Sequence, residues 1–193
     1  MKVTAFVGSA RKKHSYYAAL YLLQSLQSFG NVDYDIVSLS DYKLKTCKGC
    51  KLCLNKGEEF CPMKDDRDKL LGKIYDSDGI VLASPNYSFD MSGLMKIFLD
   101  RLGFAFHRPR FFGKSFTSIV VQGVYRGKKI IKYFNFIGRR LGFNVVNGSC
   151  LNSMEPMTEK QQELIHQVLH RQGEKFYSSL IKKNIRFQQS LSY

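Results

Sequence analysis

Four of the five cysteines in this 193-residue chain lie in one short segment with compact spacing. They are Cys47, Cys50, Cys53 and Cys61, in the pattern C-x2-C-x2-C-x7-C, and Pro62 follows the last of them. Thiolates spaced in this way can turn toward one centre, either a tetrahedral zinc ion or a cubane iron–sulfur cluster. Three cysteines in a single run favour the cluster over zinc. Metal-free or redox-active thiols remain a third alternative.

A second candidate site is the polar loop GSARKKHS, residues 8–15, between an apolar strand and an amphipathic helix. Its small residues and two hydroxyls, with backbone N–H groups at a helix N-terminus, can hydrogen-bond a phosphate, and Arg11 or Lys13 can neutralise the charge. The loop matches neither GxGxxG nor a Walker sequence, which argues against a dinucleotide Rossmann site and against ATP hydrolysis.

The third stretch is GIVLASPNYSFDMSGLMKIFLDR, residues 79–101. GIVLAS has the composition of a strand buried on both faces, PNYSFD is rich in turn-forming residues, and Ser92 can cap the helix that follows. Ligands of open α/β sheets bind at the carboxyl ends of such strands. We therefore expect the aromatic loop after this strand to lie in a ligand crevice.

These stretches belong to an alternation of strands and helices that predicts a parallel sheet covered on both faces. We predict an α/β, flavodoxin-like three-layer sandwich with five parallel strands in the order 2-1-3-4-5. The predicted chain is one domain, residues 1–193, with a cysteine-rich insert at about 41–66 after strand 2 and a C-terminal helix at about 158–182. The predicted strands are 2–7, 33–39, 79–84, 116–121 and 143–146.

The chain carries a formal net charge of +14, and residues 101–154 hold ten Lys or Arg but no Asp or Glu. Such a surface suits a nucleotide cofactor, an acidic protein or nucleic acid. Nucleic acid is disfavoured because the aromatic residues of this region fall mostly at core spacing. The sequence contains no stretch typical of a membrane span or a signal peptide, so we expect a cytoplasmic protein without a membrane partner.

Three segments together resemble the NAD(P)H-dependent FMN reductase superfamily, and within it the iron–sulfur flavoproteins. GSARKKHS is similar to the family's GSPRKNGN, and SPNYSFDMSGLMKIFLDR to its SPVYFGSVSGQLKAFIDR. The cysteine run followed by Asp65 and Asp66 resembles its cluster segment. The resemblance spans about residues 1–150, with Ala10 in place of the family's proline and Phe89 in place of a small glycine.

The resemblance implies FMN as the cofactor, NAD(P)H as co-substrate and a 4Fe-4S cluster on the four cysteines, near the flavin of a neighbouring subunit in a homodimer or homotetramer. No catalytic side chain is implied, because the flavin carries the chemistry. The implied phosphate contacts are Ser9, Arg11, Lys13, Ser15 and Tyr16. The implied ring contacts are Pro85, Asn86, Tyr87, Ser88 and Phe89 on one side, and Gln122, Gly123, Val124 and Tyr125 on the other.

Two functions fit this reading: an FMN-dependent NAD(P)H reductase of quinones, flavins or similar small acceptors, and an iron–sulfur electron carrier that works with ferredoxin. A hypothesis of another class is a zinc-stabilised basic binding module, and a further one is a flavodoxin-like scaffold without cofactor. Flavin absorbance in purified protein would separate the first two from the others.

Overall fold

The computed structural model describes residues 1–190, with side chains as far as Lys182. These residues contain seven strands and seven α-helices. The strands are β1 (Lys2–Val7), β2 (Asp33–Ser38), β3 (Gly79–Tyr87), β4 (Asp90–Met91), β5 (Ser115–Gln122), β6 (Asn144–Val145) and β7 (Ser149–Asn152). The helices are α1 (His14–Gln27), α2 (Leu52–Asn55), α3 (Arg67–Tyr75), α4 (Gly93–Asp100), α5 (Gly103–His107), α6 (Gly127–Arg140) and α7 (Glu159–Ser190).

The parallel sheet has the order β2-β1-β3-β5-β6, which confirms the predicted strand order. The predicted count of five strands was too low. β6 and β7 both pair parallel with the same edge of β5, β6 with its first residues and β7 with its second half. β4 pairs antiparallel with β3. Both additions are short, and their sequences, DM and SCLN, lack the β-branched apolar run that marks a buried strand.

Helices cover both faces of the sheet, as a three-layer sandwich requires. One core cluster joins α3, α4 and α6 to the sheet, and the other joins α1 and α7 to the opposite face. The central strands β1 and β3 are buried along nearly their whole length, which is why their sequences are continuous apolar runs rather than alternating ones.

The central strand is longer than predicted. β3 continues through residues 85–87, which the sequence analysis treated as a turn, because Asn86 and Tyr87 pair with Met91 and Asp90 in a tight hairpin. The predicted cap of the following helix is confirmed: the Ser92 hydroxyl accepts a hydrogen bond from the N–H of Met95 at 3.2 Å.

The long C-terminal helix α7 begins where predicted, with Thr158 Oγ1 accepting the N–H of Gln161 at 3.3 Å. Its buried stripe, Leu169, Phe176 and Leu180, packs on the sheet face that α1 also covers. Within residues 1–190, no helix combines the length and the apolar character that a bilayer crossing requires.

The cysteine-rich segment, residues 41–66, lies between β2 and α3 and contains only α2 and the short 3-10 turn Glu58–Phe60. Its two ends are tied together. The N–H of Lys43 donates to Asp66 Oδ2 at 2.8 Å, and the N–H of Lys45 donates to Asp65 Oδ2 at 2.9 Å. The segment is therefore a closed loop whose base is held by two carboxylates.

Candidate functional site

The loops after β1, β3 and β5 meet at the carboxyl edge of the sheet around a pocket of about 140 Å³. The pocket is lined by nine of the fourteen cofactor contacts predicted from sequence. These nine are Ser9, Arg11, Lys13, Ser15, Pro85, Asn86, Tyr87, Gln122 and Gly123. The other five are sequence neighbours of these residues and do not line the pocket: Tyr16, Ser88, Phe89, Val124 and Tyr125.

The first loop is folded by hydrogen bonds within itself and leads into a helix whose N-terminus no side chain caps. Ser9 is buried, and its Oγ donates to the carbonyl of Arg11 at 2.9 Å and accepts the N–H of Arg11 at 3.3 Å, which folds the loop tightly. α1 starts directly afterwards, and no side chain caps its N-terminus. Its first N–H groups, with the exposed side chains of Arg11 and Lys13, form an electropositive end suited to a phosphate.

A buried network holds the first loop against the second. The Ser92 hydroxyl donates to the carbonyl of Gly8, and the N–H of Gly8 donates to the carbonyl of Ala83 at 2.8 Å. The N–H of Ser92 in turn donates to Ser84 Oγ at 3.1 Å. A Cβ on Gly8 would lie 2.8 Å from both Ser92 Oγ and Met95 Cβ, so only glycine allows this approach.

The second loop is a hairpin with a two-residue tip. Ser88 and Phe89 have φ angles of 50° and 66°, the left-handed region that a type I′ turn needs and that glycine or asparagine normally fills. A bulky residue is strained there. Phe89 nevertheless presents its ring to Tyr125 of the third loop, with the ring centroids 5.2 Å apart.

Asn86 links the second and third loops. Its Nδ2 donates to the carbonyl of Tyr125 at 2.9 Å, whereas its buried Oδ1 accepts no hydrogen bond from any residue in the described part of the chain. A buried acceptor without a donor is costly, so an N–H of a bound ligand would satisfy it. Tyr87, Phe89 and Tyr125 are each about half exposed and surround this position, as ring-stacking side chains would.

Gln122 has a structural task that the sequence did not reveal. Its Oε1 accepts the N–H of Gly127 at 2.6 Å and its Nε2 donates to Asn152 Oδ1 at 2.8 Å, so the side chain joins α6 to β7. The backbone of Gln122 accepts the N–H of Ser153 at 2.9 Å. Gln122 therefore shapes the third loop through contacts within the protein.

Sequence reasoning missed three lining residues: His14, Val121 and Ser153. Ser153 follows β7, the strand that was not predicted, so nothing placed it at this edge. Nε2 of His14 lies 3.1 Å from Glu155 Oε1, a partner 141 positions along the chain.

The four cysteines lie close together but do not form an assembled metal site. Cys47 and Cys50 are exposed, whereas Cys53 and Cys61 are half-buried. Burial raises the pKa of Cys53, and the nearby thiols of Cys61, Cys47 and Cys50 raise it further. Within residues 1–190, no three cysteine, histidine or acidic side chains converge as metal ligands. The donor set suits a metal–sulfur group, but the segment must rearrange to bind one.

A buried ion pair anchors the cysteine segment to the helix that follows the aromatic loop. Arg101, just after α4, contacts Asp65 through two hydrogen bonds, Nη1 to Oδ2 at 2.9 Å and Nη2 to Oδ1 at 3.1 Å. The same guanidinium lies 3.7 Å from Cys61 Sγ. Both charged side chains are almost completely buried, so the segment is fixed relative to the candidate pocket.

Comparisons with known proteins agree with this geometry. Residues 1–154 match the NADPH-dependent FMN reductase family. An iron–sulfur flavoprotein of Archaeoglobus fulgidus is 35% identical over 160 residues, covering 77% of this chain and 71% of that protein. A second one from the same organism is 33% identical over 128 residues, covering 66% of this chain and 62% of that protein.

Among solved structures, RosB with a bound 8-demethyl-8-formylriboflavin-5'-phosphate intermediate superimposes with a TM-score of 0.78. The two chains share 12% identity, and the alignment covers all of this chain and 82% of that one. At this identity the likeness establishes the flavodoxin-like fold alone. The match over residues 1–154 and the 35% identical Archaeoglobus fulgidus protein show that the chain belongs to the NADPH-dependent FMN reductase family of flavoprotein oxidoreductases.

Proposed function

We propose that this protein binds FMN across the three loops and uses it to transfer electrons from NAD(P)H to a small-molecule acceptor, such as a quinone or a free flavin. When bound, FMN supplies a redox centre that accepts a hydride from a reduced nicotinamide and passes the electrons on. The protein's part is to hold this group, to orient it and to exclude water. The observation that carries the proposal is the pocket built jointly by the loops after β1, β3 and β5.

The first loop would hold the phosphate. The hydroxyl of Ser15 and the backbone N–H groups of Ser15 and Tyr16 in the first turn of α1 are the donors, and Arg11 and Lys13 balance the negative charge. Ser9, whose hydroxyl donates to the carbonyl of Arg11, would shape the loop around the phosphate. The fit follows from the uncapped helix N-terminus, because helix N–H groups without an internal partner bind anions readily.

The second and third loops would hold the ring system. Backbone groups of Pro85, Ser88 and Gly123 and the rings of Tyr87, Phe89 and Tyr125 would enclose it, and Asn86 Oδ1 would accept a hydrogen bond from it. N–H donors aimed at a flavin ring stabilise the negative charge of its reduced form more in a water-poor site than in water. Binding of the ring by the second loop would account for the strained backbone of Ser88 and Phe89 at its tip.

We further propose that Cys47, Cys50, Cys53 and Cys61 hold a 4Fe-4S cluster. The proposal is supported by the compact thiol spacing, by the mutual proximity of the four thiols and by the names of the Archaeoglobus relatives. Cluster binding requires the exposed part of the segment, which contains Cys47 and Cys50, to close around the metal. The alternative is a zinc ion on the same four thiols, and elemental analysis of the purified protein for zinc and iron distinguishes the two.

We also propose a homodimer or homotetramer of single-domain subunits, since the relevant loops open onto the surface where a second subunit can reach them. The acid-free basic stretch, residues 101–154, suits an acidic electron-transfer protein such as ferredoxin as an alternative partner. The two acceptor classes make different demands, because a small molecule must reach the ring itself whereas a protein docks on the surrounding surface.

The test is anaerobic NAD(P)H oxidation by FMN-loaded protein, with a quinone, a free flavin or reduced and oxidised ferredoxin supplied separately. The proposal expects nicotinamide oxidation that depends on bound FMN and on a small acceptor. Absence of turnover with any nicotinamide, combined with rapid electron exchange with ferredoxin, would instead establish the electron carrier. Iron and sulfide assays on the same sample test the cluster independently.

A further inference from the structure

A second and larger cavity, of about 350 Å³, lies beside the candidate FMN pocket. It is formed by α1, by the segment after β7 and by the first turns of α7, and it shares His14, Val121 and Ser153 with the FMN pocket. The α7 wall lies beyond residue 154, where the family match ends. The family match therefore assigns no role to this wall.

The walls of this cavity are mostly apolar and include a flat aromatic surface. Tyr21 of α1 and His166 of α7 stack in parallel, with ring centroids 4.1 Å apart and an interplanar angle of 5°. Leu151 and Leu169 are buried alongside, and Tyr17 of α1 remains 60% exposed at the rim. Cavities of this size with apolar walls and a few polar groups are typical small-molecule sites.

The polar groups of the cavity favour a negative charge on the occupant. Two imidazoles, those of His14 and His166, line the cavity, and none of the described residues that line it is an Asp or a Glu. Glu155 contacts His14 at 3.1 Å but is not a lining residue. A chain of net charge +14 adds a favourable background potential for an anion.

We propose that this cavity binds a planar aromatic molecule that carries one negative group, at a site distinct from the FMN ring contacts. The aromatic part would lie among Tyr17, Tyr21 and the buried leucines, and the charge would interact with His166. The cavity borders the phosphate end of the FMN pocket, away from the aromatic loops, so its occupant is an accessory ligand rather than the electron acceptor. The proposal therefore stands or falls independently of the redox function.

The test uses anilinonaphthalene sulfonate, an aromatic anion whose fluorescence rises in apolar surroundings, titrated into protein saturated with FMN. We expect saturable binding of one probe molecule per chain that excess FMN does not displace. Ile165→Trp places an indole in the cavity and should weaken probe binding by at least about tenfold. A second variant, Met157→Trp, fills the cavity from the segment between β7 and α7, so the test does not depend on the folding of one helix variant.

The matched control is Leu164→Trp. Leu164 is the neighbouring residue of α7, but it is 60% exposed and does not line this cavity, so probe affinity should be unchanged. Absence of saturable binding to the wild-type protein would overturn the proposal. So would equal affinity in wild type and in both cavity-filling variants, or displacement by FMN, which would place the probe in the cofactor pocket.

Discussion

Replacing Arg101 by methionine should destabilise the protein far more than the loss of an ordinary surface ion pair. The side chains of Arg101 and Asp65 are 2% and 1% exposed and are joined by two hydrogen bonds. Methionine keeps much of the length and apolar volume of arginine but leaves the Asp65 carboxylate buried without its cation. Breaking such a pair from one side costs about 3–5 kcal/mol, because a buried charge loses its compensation.

The same helix offers an internal control. Lys96 and Asp100 form an ion pair one turn apart on α4, but their side chains are 50% and 42% exposed. Lys96→Met should therefore lower the free energy of unfolding by only about 0.3–0.5 kcal/mol, the usual value of an exposed helical pair.

The assay is urea unfolding of metal-free, FMN-free protein with reduced thiols, followed by circular dichroism. A third variant, Arg101→Met with Asp65→Asn, removes both charges but keeps an oxygen that can accept the N–H of Lys45, and should recover part of the stability lost in the single variant. The reasoning would be refuted if Arg101→Met and Lys96→Met differed by less than about 1 kcal/mol. It would also be refuted if the double variant had a lower free energy of unfolding than Arg101→Met alone.

Three further perturbations have defined outcomes. Phe89→Gly should be about 1 kcal/mol more stable than Phe89→Ala in urea unfolding, because only glycine relieves the left-handed backbone at φ 66°; equal stabilities would contradict this. Arg11→Ala should weaken FMN binding about tenfold in a fluorescence titration, whereas Lys12→Ala, in the same loop but outside the pocket, should not. Hydrogen bonding to Lys69 lowers the pKa of Asp66 below 3.8, so its stabilising contribution is present above that pH and is lost as the pH falls through the lowered pKa. The difference in unfolding free energy between wild type and Asp66→Asn should accordingly shrink on acidification, and a pH-independent difference would count against the assignment.

The sequence predicted the sheet well because its central strands are buried on both faces. The runs KVTAFV and GIVLAS are almost entirely apolar, as strands buried on both faces are. Ser92 and Thr158 mark the starts of helices because each accepts a hydrogen bond from a backbone N–H of the first turn. Strand order followed from the alternation of strands and helices, which leaves few parallel arrangements available. Local signals therefore determined the parts of the fold that position the three loops.

Features that depend on distant partners were not predictable from the sequence. β7 has the polar sequence SCLN and exists because β5 offers it a free edge. Gln122 was expected among the cofactor contacts, but its side chain bonds Gly127 and Asn152, which only the fold brings together. The cysteine segment has almost no regular structure to predict, and the Arg101–Asp65 pair that anchors it joins residues 36 positions apart.

The central claim is that the loops after β1, β3 and β5 together hold one FMN. It is tested most directly by mixing cofactor-stripped protein with excess FMN, passing the mixture through a gel-filtration column and recording the visible spectrum of the protein peak. The account predicts a yellow protein peak with one FMN per chain, and loss of that chromophore in Arg11→Ala combined with Asn86→Ala. A colourless wild-type peak, with all FMN eluting as free cofactor, would contradict it.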